Sequence, residues 1–237
     1  MWREFWDRTR QGTQALTLAV GKASSEPERA AYLVAASSNV LGSLSGQRRL
    51  KNITKPLLMP LLMGRVLRSE QSDRALGVLG LAGGWAGDLV LMKPQSLPQG
   101  AAGFALNHAA YCVLLWRRGA RFGLQRTAIR AIPLGLAAAL ASWKAPKLVP
   151  MVLGYGGLLA TTSTLADDSR LLDSSNAGSF GAGHGGNLFL ISDAVLFVRE
   201  LVLEDSSHLQ HLADGVVMGT YTLAQLLLVD ALFGDTK

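Results

Sequence analysis

The sequence predicts an all-α, polytopic membrane bundle of eight transmembrane helices, and three observations carry that prediction. Apolar residues come in eight blocks, each close to the ~20 residues that a helix needs to cross a bilayer. Charged residues make up 17% of the 237-residue chain, against about 25% in an average soluble domain, and mean hydropathy is +0.25. Lys and Arg gather between the blocks, where they report orientation rather than a nucleic-acid-binding stripe. The net charge of +6 therefore implies no nucleic-acid partner. The single cysteine, Cys112, excludes a disulfide scaffold and a Cys-based zinc site, and the apolar content excludes intrinsic disorder.

Residues 1–28 read as a cytoplasmic or interfacial segment. Acidic Glu4 and Asp7 and the short apolar stretch from Ala15 to Val20 argue against a cleaved signal peptide, while Trp2, Phe5 and Trp6 suit the membrane interface. Residues 29–233 form the transmembrane domain, and 234–237 a C-terminal tail. The spans are expected at 29–46, 52–67, 74–93, 100–117, 127–143, 147–163, 183–203 and 212–233. Ser37, Ser38, Asn39, Ser43 and Ser45 dilute the first, whose start is marked by Ser25 and Pro27. Pro56 and Pro60 should kink the second and free carbonyls that neighbours must satisfy. The connection from Leu165 to Gly183, rich in Asp, Ser, Asn and Gly, is expected to be either flexible or functional. Fifteen Lys and Arg lie on the side of the two termini and eight on the other. The positive-inside rule then places both termini in the cytoplasm, for an integral protein of a bacterial plasma membrane.

Two motif pairs suggest a parallel internal repeat of two four-helix halves. Pro56 and Pro60 match Pro146 and Pro150, and Gly87-Asp88-Leu-Val90-Leu91 matches Ser192-Asp193-Ala-Val195-Leu196. Such a repeat has its axis along the membrane normal and would set Asp88 and Asp193 at similar depths on facing helices.

Ionisable groups inside spans are the most informative residues, since each costs at least ~2.5–3.5 kcal/mol at mid-bilayer. The candidates are Lys55, Asp88, His108 and Asp193, with neutral companions Asn107, Tyr111, Tyr155, Ser192, Tyr221 and Gln225. Asn107 and Tyr111, like Tyr221 and Gln225, are i,i+4 and share a helix face. One shared interior cavity accommodates the whole set. For Asn107, Ser192 and Gln225 interhelical hydrogen bonding is the competing account, and Lys55 has snorkelling to the interface as its own. Two embedded aspartates point instead to a pathway or to catalysis. Gly181-x-Gly183-x-x-Gly186 fits the dinucleotide pattern but follows no strand, so close helix packing explains it better. His208 and His211, flanked by Glu204, Asp205 and Asp214, have i,i+3 ligand spacing, yet a solvated turn is the favoured reading over a metal site.

The sequence resembles the lysoplasmalogenase, or YhhN-like, multipass membrane proteins. The residues that carry the resemblance are Thr54-Lys55-Pro56-Leu-Leu-Met-Pro60, Ala86-Gly87-Asp88-Leu-Val-Leu-Met92, Phe104-x-x-Asn107-His108-x-x-Tyr111 and Pro150-x-x-x-x-Tyr155, followed by Asn187-Leu-Phe-Leu-Ile-Ser192-Asp193-Ala-Val-Leu196 and Met218-x-Thr220-Tyr221-x-x-x-Gln225. The resemblance runs from about residue 52 to 230. It implies an eight-helix hydrolase that cleaves the vinyl ether bond of lysoplasmalogens to a fatty aldehyde and a glycerophospho-headgroup, with Asp88 and Asp193 catalytic. Gly84 departs from it, standing where many relatives carry serine.

The chemistry suits these residue types. Protonation of the alkene carbon generates an oxocarbenium-like cation, water adds, and the hemiacetal collapses. Two carboxylates in a low-dielectric cavity supply an acid and an anion. His108, Tyr111, Tyr221 and Gln225 are the orienting groups for water or the glycerol hydroxyl. Lys55 is placed either on the lipid phosphate or in an ion pair with an aspartate. No metal or cofactor is required, and the expected partners are a lysophospholipid-type substrate and membrane lipids. Two other readings use the same aspartates: a proton-coupled transporter and a hydrolase of another acid-labile substrate such as an epoxide.

Overall fold

A computed structural model describes residues 2–173, 176–203 and 208–234, with the side chains of residues 2–5, 7 and 8 left aside. Among the described residues the chain is all-α. Its helices are α1 (Trp2–Gly21), α2 (Pro27–Leu44), α3 (Arg48–Arg68), α4 (Arg74–Leu91), α5 (Leu97–Arg117), α6 (Leu124–Lys144), α7 (Val149–Ala166), α8 (Ala182–Val202) and α9 (His208–Phe233). Each of the eight apolar blocks is a helix, α2 to α9. Three helical stretches, 74–91, 146–166 and 208–233, are long and apolar enough to cross a membrane by length and composition. In the other helices Lys, Arg, Asn and Ser lower the mean hydropathy. Several of those residues, Arg29, Asn39, Asn107 and Arg130 among them, are buried.

Polarity is arranged inside out. Val34, Leu41, Ile53, Ile132, Leu136 and Leu153 are exposed, while Asp88, Asn107, His108 and Gln225 are buried. Apolar solvent on the outside and polar pairing within is the arrangement a bilayer requires.

Short connections make sequence neighbours antiparallel, so the loops gather at two ends. At the end that holds both termini, Arg117 Nη1 meets Asp73 Oδ1 at 2.6 Å, and the Arg121 backbone N–H donates to Asp168 Oδ2 at 2.7 Å. Asn176 Nδ2 donates there to Ala231 O at 3.3 Å. At the other end Asp214 takes Lys51 Nζ at 2.8 Å and Arg199 Nε at 3.1 Å.

In the N-terminal segment residues 2–21 form a helix docked on the bundle. Ala15 and Ala19 of α1 are buried, and a Cβ at Gly181 would sit 3.3 Å from Ala15 Cβ. Trp6 is exposed, while the Trp2 and Phe5 side chains lie outside those described. Glu26 rather than Ser25 is the residue that precedes the first turn of α2, which Pro27 opens. Among the described residues of the 165–183 connection, 3-10 turns at Ser169–Leu171 and Ala177–Gly181 are capped by the side chains of Asp168 and Asn176.

The glycines of α4 and α5 bring the two backbones together. A Cβ on Gly103 would lie 2.6 Å from Gly87 N and 2.8 Å from Gly83 O. The Gly181-Gly183-Gly186 stretch does similar work for α8, since a Cβ at Gly186 would meet Ser163 Cα at 2.9 Å and one at Gly181 would meet the Leu227 side chain at 2.8 Å. Helix α3 continues through Pro56 and Pro60. Pro60 has no N–H to give to the Pro56 carbonyl, and Trp85 Nε1 donates to that oxygen instead at 2.9 Å. The two proline pairs are not equivalent: Pro56 and Pro60 lie inside α3, whereas Pro146 and Pro150 lie in the 3-10 turn and first turn that open α7. The proline match therefore carries no repeat.

Candidate active site

Asp88 stands on α4 immediately after Gly87, the glycine held against α5, and is 1% exposed. Its carboxylate has two partners from other helices. Tyr221 Oη, from α9, donates to Oδ2 at 2.7 Å, and Lys55 Nζ, from α3, lies 3.4 Å from Oδ1. Lys55 is two turns inside its helix and turns inward, so snorkelling is replaced by an ion pair with Asp88. Asp193 sits on α8, half-buried, and its Oδ2 accepts a hydrogen bond from Tyr155 Oη of α7. The feature the two carboxylates share is a tyrosine hydroxyl from a neighbouring helix.

Between them lies a cluster of rings. The His108 ring is 4.4 Å from Phe189 and 5.7 Å from Tyr155, centroid to centroid. Phe189 lies 5.5 Å and Phe104 5.8 Å from the Tyr221 ring. The edge-on geometries are those favoured by ring quadrupoles. This apolar wall links the Asp88–Tyr221 and Asp193–Tyr155 pairs and keeps the local dielectric low, which strengthens charge interactions inside it.

A second polar chain borders the cluster. Tyr111 Oη donates to Gln225 Oε1 at 2.5 Å, and Gln225 Nε2 donates to Asn107 Oδ1 at 3.0 Å. The shared faces of α5 and α9 thus meet each other. Ser192 lies apart from the chain and donates to Val217 O at 3.1 Å, tying α8 to α9. His108 Nδ1 lies 3.1 Å from Thr162 Oγ1. Glu204 and Asp205, grouped with His208 and His211 as a metal-binding alternative, lie outside the described residues, and Asp214 is taken up by Lys51 and Arg199.

Sequence reasoning missed several interior residues. Thr162 and Phe189 carry no charge and read as ordinary span residues, and Phe104 entered only as part of a family motif, with no role. Arg29, Arg65, Arg130 and Asp230 did give a signal, since each is an ionisable residue inside an expected span. Arg29 makes a bidentate pair with Asp230, both bonds 2.6 Å, and its Nε donates to Glu26 Oε2 at 2.7 Å. Arg130 Nη2 donates to Asn187 Oδ1 at 2.6 Å and to Asp167 Oδ2 at 2.9 Å. These groups join helix ends at the face that holds both termini.

The site's carboxylates, its cation and its ring cluster come from α3, α4, α5, α7, α8 and α9, that is from Lys55 to Gln225. No curated protein and no solved structure matches the chain. Residues 50–232 match the YhhN family, a stretch that encloses every one of these site residues, and the chain belongs to that family.

Proposed function

We propose that this chain is an intramembrane hydrolase that cleaves the vinyl ether bond of lysoplasmalogens, releasing a fatty aldehyde and a glycerophospho-headgroup. The observation that supports it is the convergence of two aspartates, each hydrogen-bonded by a tyrosine, on one ring-lined interior. Family membership fits this reading. All eight helices α2–α9 cross the bilayer, with the termini on the cytoplasmic side of a bacterial plasma membrane, where the larger share of Lys and Arg lies.

In this mechanism Asp193, which has the more open position, delivers a proton to the alkene carbon. The C–O bond gains oxocarbenium character, and Asp88, held by Lys55 and Tyr221, faces the developing positive charge as a fixed anion. Such preorganised charge needs no reorganisation during reaction. Water adds to the cation and loses a proton to the carboxylate that Asp193 has become. The hemiacetal then collapses, so that the carbonyl forms as the glycerol oxygen leaves with a proton. The ring-lined wall accommodates the alkenyl chain, which enters from the lipid between helices. The free headgroup leaves to water.

The test is aldehyde release from a lysoplasmalogen by the detergent-purified protein, with no ion gradient. Wild type should turn over, and Asp88→Asn and Asp193→Asn should each lose about 10²–10⁴-fold while keeping the fold. Folded wild type that releases no aldehyde would overturn the assignment. Near-normal turnover in either variant would remove that aspartate from the mechanism.

A further inference from the structure

Among the described residues two side-chain atoms of the site have no partner in the fold, Asn107 Nδ2 and His108 Nε2, and His108 Nε2 is the one set among the rings. His108 is wholly buried, yet its Nε2 meets no donor or acceptor. The other ring nitrogen fixes what Nε2 is. Thr162 Oγ1, 3.1 Å from His108 Nδ1, has one hydrogen and, within reach, the carbonyls Leu158 O at 3.1 Å and His108 O at 3.4 Å and the Cys112 thiol at 3.3 Å. Back-bonding to the carbonyl four residues earlier is the usual choice of a helical threonine. The Thr162 oxygen then accepts from His108 Nδ1–H. A neutral imidazole carries one N–H, so Nε2 is a bare lone pair enclosed in rings. Burying an acceptor unsatisfied is unfavourable, and such an atom is held for something that arrives.

The surroundings select among arrivals. A buried water makes about three hydrogen bonds. The hydroxyls nearest His108 are already engaged, Tyr155 with Asp193 and Tyr111 with Gln225, and Phe189 offers none. A single O–H carried on a carbon skeleton fits this place better than free water. Building on the hydrolase reading above, we propose that His108 Nε2 accepts the free 2-hydroxyl of the substrate glycerol and thereby selects lysophospholipids over their 2-acylated counterparts. An acyl ester at that carbon has no O–H to give and adds a chain where the rings close. The approach is from the side of Tyr155 and Asp193, both half-buried.

The experiment measures kcat/KM of the full-length protein in detergent on two vinyl ether lysolipids that differ only at carbon 2, one bearing hydroxyl and one hydrogen. Wild type should prefer the hydroxyl by about tenfold to a hundredfold. His108→Phe keeps a ring and removes Nε2. Its rates fall, and its preference should drop to near one. Thr162→Val, a milder change that unlocks the ring, should show a preference between the two. A wild-type preference near one, or a preference retained in the variants with both substrates slowed equally, overturns the proposal and makes His108 a structural or water-holding group. Absence of aldehyde from both substrates with folded wild type overturns the hydrolase reading itself, and this assignment with it.

Discussion

Replacing Gly103 by alanine adds one methyl group between α4 and α5. The new Cβ would stand 2.6 Å from Gly87 N, 2.8 Å from Gly83 O and 2.9 Å from Gly87 Cα. All three are backbone atoms, so no side chain can swing away and the helices must part. The shortest contact falls about 0.8 Å short of the 3.4 Å at which ordinary contact begins. Overpacking of this kind costs about 1–3 kcal/mol, partly offset by the ~0.5–1 kcal/mol that alanine gains over glycine within a helix. The consequence for function is larger, because Asp88 follows Gly87 and moves with it, away from Tyr221 and Lys55. Misplacing catalytic groups by ~1 Å costs on the order of 10²-fold in rate. Gly84→Ala is the matched control, since its Cβ would meet Asn107 atoms at 3.5 Å. It should leave activity near wild type and stability unchanged or raised. The assays are thermal unfolding in detergent and aldehyde release. If Gly103→Ala melts and turns over like wild type, or if the two alanines lose equal activity, the argument that this packing positions Asp88 is refuted.

Two further outcomes follow from the ionic network at the end that holds the termini. Asp230→Asn leaves Arg29, whose side chain is 2% exposed, with Glu26 as its remaining carboxylate, and should cost less than the ~3–5 kcal/mol of a buried charge left wholly unpaired. An Arg29→Met, Asp230→Leu double variant should recover much of that loss, and a double variant with additive losses in thermal unfolding would show that the two charges act independently. Asp168 gives a pH dependence. Burial alone would raise its carboxyl, but hydrogen bonds from the Arg126 side chain and the Arg121 and Arg170 backbones outweigh that and hold it below the usual carboxylate range. A carboxyl depressed on folding contributes stability above its unfolded pKa and loses it as pH falls through the folded value. Asp168→Asn should therefore lower the melting temperature at neutral pH, with the gap to wild type closing only below the ordinary aspartate range. A gap unchanged in that acid range would refute the assignment.

The sequence by itself determined the helices and their direction. Apolar blocks of helix length separated by short polar links leave antiparallel neighbours as the simple solution, and α2 to α9 follow that pattern. Asp88, His108 and Asp193 were legible as well, because a charge or imidazole in an apolar block is costly and needs a reason. The docked helix α1 was less legible, since the residues it buries, Ala15 and Ala19, are small.

Tertiary structure alone decided who meets whom. Lys55 had three partners open to it from sequence, and the approach of α3 to α4 settled on Asp88. Tyr155 and Tyr221 were two polar residues in two spans until α7 brought one to Asp193 and α9 brought the other to Asp88. The orphaned Nε2 of His108 depends on Thr162, a residue 54 positions away whose hydroxyl gives no sign of its role in one dimension. The physical reason is range. Hydropathy and helix spacing act over a few residues and are written along the chain, whereas hydrogen bonds and ion pairs act over about 3 Å. Only the packing of glycine faces such as Gly83, Gly87 and Gly103 brings atoms so far apart in sequence within that distance.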